Sequence, residues 1–285
     1  MSFCYKRKIN IFEANVDSVL TYLTELYNAG LGYSCINTAR SALSSFLQLE
    51  NCVSVGSHPL VRRFMKGVFN LRPSLPRYNV TWDVNIVLKF LKNLTPISSL
   101  SLLKLSQKLL MLLALLSGQR GQTLHLIDIR NIHLQDSCVK IVIGDLLKTS
   151  DNKKHLGEIN LSRYDEDTDL CVVNALTHYL QRTEHLRALE TKLFITTQRP
   201  HKPVSRDTIG RWLKSVMKQA GTDVSIFKPH STRAASTSAA YAMRIPVDTI
   251  IRTVGWSKDS VFRKFYKKPV SLDVQMSKNL LENYS

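Results

Sequence analysis

Residues 229–240 read Pro-His-Ser-Thr-Arg-Ala-Ala-Ser-Thr-Ser-Ala-Ala. The alanines favour helix, expected here from His230 to Arg244. His230 and Arg233 are three residues apart, so a helix sets them on one face. That face then offers a proton-transfer group beside a guanidinium able to grip a phosphate. Such a pair also arises by chance in many proteins, so its meaning depends on its company.

Four other positions form that company. Upstream, Arg120 stands in Ser-Gly-Gln-Arg-Gly-Gln-Thr-Leu, just past an apolar helix. A guanidinium held beside a core helix can clamp phosphate in bidentate fashion, although arginines at such places are usually surface or capping residues. Lys148 ends a first β-like segment, in Leu-Leu-Lys-Thr-Ser. A lysine at a hairpin tip is usually just solvated, and it can also reach a DNA groove and protonate a leaving oxygen. Lys153 and Lys154 compete with it for that part. Downstream, Trp256 lies in Val-Gly-Trp-Ser, where a buried indole N–H needs an acceptor such as a phosphate oxygen. Tyr266 lies in Arg-Lys-Phe-Tyr-Lys-Lys, either a half-buried aromatic at a helix end or a phenol activated by cations.

The wider chain sets the frame. It has 285 residues, 44% of them hydrophobic, enough for one large domain or two ordinary ones. Lysine and arginine outnumber acids 39 to 22, a formal charge of +17. The excess is not a tail: residues 1–80 hold 9 basic and 4 acidic groups, the remainder 30 and 18. Charge alone leaves a nucleic-acid partner and a merely solvated basic surface both open. The five cysteines, Cys4, Cys35, Cys52, Cys138 and Cys171, form no CxxC pair, which argues against a disulfide framework or zinc site and for a reducing compartment. Leu109 to Leu116 is too short to cross a bilayer and reads as a buried core helix.

Periodicity divides the chain. Phe12 to Tyr27 is expected to be helical, with Gly30 as its stop. Ser34 is placed to cap a second helix through Leu47, and Pro59 opens a third carrying Arg62, Arg63 and Lys66. Arg72 to Tyr78 contains two prolines and reads as a linker. This gives a helical domain over 1–71, a linker over 72–80, and a second domain over 81–285. Residues 82–117 read as helix. Val139, Ile141 and Ile143 alternate as a strand, with Leu156 to Leu161 as its return. Helices resume from Leu170, one capped by Ser205 and running to Ala220, and another with Pro246 in its first turn. The expectation is a mainly α fold with a small antiparallel β-sheet.

In the order Arg120, Lys148, His230-x-x-Arg233, Trp256, Tyr266, the chain resembles the tyrosine recombinases, the family of phage integrases and bacterial chromosome-dimer resolvases. Their catalytic domain carries this set in this order, with His or Trp at the fifth place. The resemblance covers about residues 80–270. The helical region before it resembles the family's core-binding domain but carries no diagnostic motif. Gly-Gln-Arg-Gly-Gln-Thr-Leu, Leu170-Cys-Val-Val-Asn-Ala-Leu-Thr-His-Tyr-Leu, the 229–240 segment and Gly-Trp-Ser are closer still to recombinases of eukaryotic DIRS or Crypton elements. Two departures stand out. Thr123 occupies a place where many bacterial members have an acid, and Trp256 precedes Tyr266 by ten residues where nine is common. Phe265 fills the nine-residue place and cannot be a nucleophile.

The resemblance implies a site-specific DNA recombinase or integrase. Arg120 and Arg233 would bind the scissile phosphate, and Tyr266 would attack it to leave a 3′-phosphotyrosine. Lys148 would protonate the departing 5′-oxygen, His230 would manage the tyrosine proton, and Trp256 would donate to the phosphate. Neither ATP nor a metal is implied. The implied partner is double-stranded DNA, contacted also by Arg40, Arg62, Arg63, Lys66, Lys153 and Lys154, with four protomers on two sites, no membrane, and Val270 to Ser285 as a tail. A eukaryotic element would place the chain in the nucleus; otherwise it would lie in the cytoplasm with DNA. A type IB topoisomerase and a DNA-binding descendant that no longer cuts are the rival readings.

Overall fold

The computed structural model describes residues 2–10, 13–49, 53–74, 79–147, 157–256 and 259–269. The chain divides into two units, Met1–Arg77 and Tyr78–Ser285.

In the first unit, a short helix α1 (Ser2–Arg7) precedes α2 (Val16–Asn28). Asn15 starts α2 by accepting from the Ser18 N–H at 2.9 Å, later than the Phe12 expected from periodicity. α3 (Tyr33–Ser44) follows Gly32, so Ser34 lies inside the helix rather than capping it. The helix also stops short of Leu47, because the chain turns into a hairpin of two-residue strands, β1 (Gln48–Leu49) and β2 (Val53–Ser54). Strands this short leave no alternation to read. Pro59 opens α4 (Pro59–Leu71), where its missing N–H costs nothing. Leu23, Ile36, Val55 and Val61 are fully buried at the centre. Arg72 folds back onto this unit: its Nη1 donates to the Tyr27 carbonyl at 2.6 Å, and its guanidinium lies 3.8 Å from the Tyr27 ring centroid.

The second unit opens with α5 (Val84–Lys92) and α6 (Leu102–Ser117). The helix expected over 82–117 is thus two, parted at Pro96 and a 3₁₀ turn over Ile97–Ser99. Residues Leu109 to Leu115 of α6 are all buried, and α6 packs against later helices on several sides. Each buried leucine contributes roughly 1.5–3 kcal/mol, so α6 is the spine of this unit. After α7 (Gly121–Leu126) come β3 (Ile132–Leu134), β4 (Cys138–Ile143) and β5 (Gly157–Ser162), antiparallel in the order β3-β4-β5. Val139, Ile141 and Ile143 are buried, as their alternation requires. β3 was not evident in the sequence. Its pairing partner, not its own three residues, makes it a strand.

Helices complete the unit: α8 (Val172–Thr183), α9 (Arg206–Gln219), α10 (Ser231–Ala242), α11 (Val247–Val254) and α12 (Asp259–Phe265). Ser205 caps α9 through the Thr208 N–H. Pro246 immediately precedes α11 instead of entering its first turn. The fold is mostly helical with small antiparallel sheets. Among the described residues, no helix is long and apolar enough to cross a membrane.

Candidate active site

α10 is the element on which the site is built. His230 is exposed and sits at its N-cap position, while Arg233, in the first turn, is buried. The start of α10 is pinned by Trp82, whose indole N–H donates to the buried Ser231 hydroxyl at 2.9 Å. The Arg233 Nη2 donates to the Val254 carbonyl at 2.8 Å, tying α10 to the end of α11. Its Nε and Nη1 are buried and meet no acceptor among the described residues. Burial pushes the Arg233 pKa down to about 10, and the neighbouring positive charge of Arg120 adds to that fall, while the Tyr266 phenol opposes it.

Arg120 reaches Arg233's surroundings because the turn before it is bolted in place. Gly118 ends α6 at φ +57°, and a Cβ there would lie 2.6 Å from the Val254 Cγ1. Only glycine serves both demands. The Ser236 hydroxyl donates to the Leu115 carbonyl, and Gln119 Nε2 donates to the Thr253 carbonyl at 3.2 Å. The Arg120 turn, α10 and α11 are therefore one assembly.

Gly255, at φ +71°, turns the chain out of α11 and leaves Trp256 facing this assembly. The Arg233 guanidinium lies 4.7 Å from the Trp256 ring centroid and 5.7 Å from that of Tyr266. The Trp256 and Tyr266 rings are themselves 4.5 Å apart. Trp256 is buried, and its indole N–H meets no acceptor among the described residues. Tyr266 directly follows α12 and is half-buried. Phe262, fully buried, anchors α12 against Tyr241 and Trp256.

Arg120, Arg233, Trp256 and Tyr266 thus gather in one place, with His230 at the adjoining end of α10. Lys148, Lys153 and Lys154 lie outside the described residues. In the first unit, Arg40, Arg62 and Lys66 line a cleft of about 480 Å³ between α3 and α4, with Tyr33 and Phe69 and no acidic side chain among the described residues. Arg63 is exposed on α4 but does not line it. Sequence reasoning missed Gln119, Ser236, Ser238 and the closeness of Gly118 to Val254. The two serines sit in the alanine-rich stretch already quoted, yet their partners are backbone atoms far along the chain.

What the site can do chemically follows from its unpaired donors. Three nitrogen donors, two on Arg233 and one on Trp256, meet no acceptor among the described residues and lie desolvated beside a second guanidinium. Burying donors without acceptors costs about 1–3 kcal/mol each. A tetrahedral oxyanion with several oxygens would satisfy them together, and a phenol lies beside it.

Solved structures share the fold. The XerH site-specific recombinase, in a post-cleavage complex with its palindromic difH substrate, matches with a TM-score of 0.63 at 15% identity, over 95% of this chain and 72% of that one. The Tn1549 transposon integrase in complex with circular intermediate DNA matches at 0.56 and 13%, over 96% and 86%. A lambda integrase dimer bound to a COC′ core site matches at 0.53 and 16%, over 96% and 89%. No curated protein sequence matches the chain. The phage integrase family model matches residues 83–270, a span holding Arg120, His230, Arg233, Trp256 and Tyr266. With the fold, the helix-by-helix order of these residues and the family match in agreement, the chain belongs to the phage integrase family, the tyrosine recombinases.

Proposed function

We propose that this chain cuts and rejoins DNA through a covalent 3′-phosphotyrosine on Tyr266, as the integrase or recombinase of a mobile element. The observation that carries the reading is the cluster of buried donors that meet no acceptor among the described residues, Arg233 Nε, Arg233 Nη1 and Trp256 Nε1, beside the Tyr266 ring. In this reading Arg120 and Arg233 hold the non-bridging oxygens of the scissile phosphate and stabilise the charge that grows on them. The Tyr266 oxygen attacks phosphorus and the bond to the 5′-oxygen breaks. The phenol proton leaves through His230, and Lys148 protonates the 5′-oxygen. The phosphodiester energy stays in the new ester, so the reverse attack by a 5′-hydroxyl rejoins the strand.

The cleft lined by Arg40, Arg62 and Lys66 supports a second DNA contact on the first unit, which would then serve as the core-binding domain. Four protomers on two duplexes, and an origin in an element of the DIRS or Crypton type, belong to the same proposal. The test is adduct formation on a nicked suicide duplex. Tyr266→Phe is expected to abolish the adduct and leave DNA affinity nearly unchanged. An adduct that persists, carried by another residue, would overturn the assignment of Tyr266.

A further inference from the structure

Hydroxyls inside the described helices mostly bond back along their own helix, and on α10 Ser236 and Ser238 depart from that habit. Ser106 donates to the Leu102 carbonyl, Thr183 to Tyr179 and Thr237 to Arg233, each four residues back along its own helix. Ser238 reaches across to another element instead. Its hydroxyl donates to the Tyr266 carbonyl at 2.6 Å and accepts from the Lys268 N–H at 3.1 Å.

The hydroxyl thereby uses its donor and one acceptor on two backbone groups that flank Lys267. The last carbonyls of a helix have no partner within it, and Tyr266 follows the end of α12. The Tyr266 and Lys267 N–H groups both donate to the Phe262 carbonyl, at 2.9 Å each, so the turn is closed before Lys268 is reached. One residue further, the Pro269 carbonyl accepts from the Thr81 N–H at 2.9 Å.

We infer that Ser238 is a positioning residue for the nucleophile, a single hydroxyl that fixes Tyr266 against the helix carrying His230 and Arg233. The inference rests on the function proposed above. Ser238 is five residues beyond Arg233 on the same helix, so phosphate clamp and tether belong to one rigid rod. Holding α12 onto the domain does not require the serine, because Phe262, Trp256, Ile250 and Val254 already form an apolar cluster there. Alanine is also the better helix former at a buried site in an alanine-rich segment. What the serine adds acts only on the backbone from Tyr266 to Lys268.

Ser238→Ala in the full chain tests this. Single-turnover adduct formation at saturating suicide duplex is expected to slow about ten- to a hundredfold, the scale of a misplacement near 1 Å. DNA Kd should stay within about twofold, which separates placement of the tyrosine from grip on the substrate. Amide hydrogen exchange should accelerate at Lys268, while the amides of α10 keep their protection. An unchanged rate at saturation, or unchanged exchange at Lys268, overturns the inference. So does a parallel fall in rate, affinity and thermal midpoint, which would make the serine a general prop of the fold. A wild-type chain that forms no adduct defeats the proposed function itself, and is recognised before the variant is compared.

Discussion

Two arginines of the second unit are hidden almost equally, Arg187 at 4% exposure and Arg233 at 3%, and they are solvated in opposite ways. Arg187 donates through Nε and Nη2 to the Thr183 hydroxyl, through Nη1 to the Lys192 carbonyl at 2.7 Å, and through Nη2 to the Leu193 carbonyl at 2.7 Å. Its ring neighbour is Tyr179. Among the described residues Arg233 makes one bond, to the Val254 carbonyl, and keeps Nε and Nη1 without partners, and it faces Arg120. Burial pushes both pKa values down. The first arginine is a cross-brace that replaces water with carbonyls. Under the proposed function the second is held in readiness, its cost met by the surrounding packing and recovered only when a phosphate arrives. Burial alone therefore does not separate scaffold from site, and the count of unmade hydrogen bonds does.

The sharpest way to break this comparison is to exchange the guanidinium for an ammonium at the unsatisfied site. Arg233→Lys keeps the charge but loses the planar fork. Adduct formation is expected to fall by about a hundredfold to a thousandfold, the scale for removing a donor aimed at developing charge. The thermal midpoint should not fall, since only one bond to Val254 is lost. Equal loss of midpoint and activity would put Arg233 in the same class as Arg187.

The converse variant is Arg187→Met. It strands the Lys192 and Leu193 carbonyls in a buried setting, at about 1–3 kcal/mol for each group left unsatisfied, while the Thr183 hydroxyl keeps its bond to the Tyr179 carbonyl. Part is recovered by no longer burying a cation. A net loss of about 3 kcal/mol is expected from denaturant unfolding, with the adduct rate of the folded fraction unchanged. A slower reaction in the folded fraction would show that the brace also shapes the site.

Trp256→Phe sharpens the comparison within the site. It removes the unpaired indole N–H while keeping an aromatic against Tyr266 and Phe262. A hydrogen bond to a charged group is worth about 1.5–3 kcal/mol, so cleavage should slow roughly ten- to a hundredfold. No change in rate would mean that Trp256 serves packing alone.

The same distinction explains how much the sequence discloses. Arg120, His230, Arg233, Trp256 and Tyr266 could be proposed from sequence because their chemistry resides in side chains and their order is specific, and the structure brings Arg120, Arg233, Trp256 and Tyr266 together. Amphipathic helices such as α9, with its Ser205 cap, were legible from period and punctuation. Ser238, Gln119 and Gly118 were not, because each answers to a backbone atom or side chain on a distant segment. A glycine needed for closeness to Val254 looks the same in sequence as one needed for a turn. The β1–β2 hairpin and β3 escaped because two or three residues hold no period, and the break at Pro96 was hidden by apolar residues on both sides.

The smallest expected effect concerns the first unit, where cations meet solvent rather than the core. Arg62 and Lys66 are exposed and line the cleft with Arg40, whose Nη1 leans on the Gly56 carbonyl at 3.3 Å. If they contact phosphates, each contact releases counterions, and the slope of log K against log salt carries about 0.9 per phosphate on duplex DNA. Arg62→Ala combined with Lys66→Ala should flatten that slope by about 2 and leave the adduct rate at saturating DNA untouched. Arg63 supplies the control, being exposed on the same helix but outside the cleft. Arg63→Ala should change the slope by well under half as much as the pair. A slope that responds to Arg63 as strongly as to either cleft residue would mean that the helix attracts DNA by charge alone. The cleft would then be a surface feature, and the readiness seen at Arg233 would have no counterpart in the first unit.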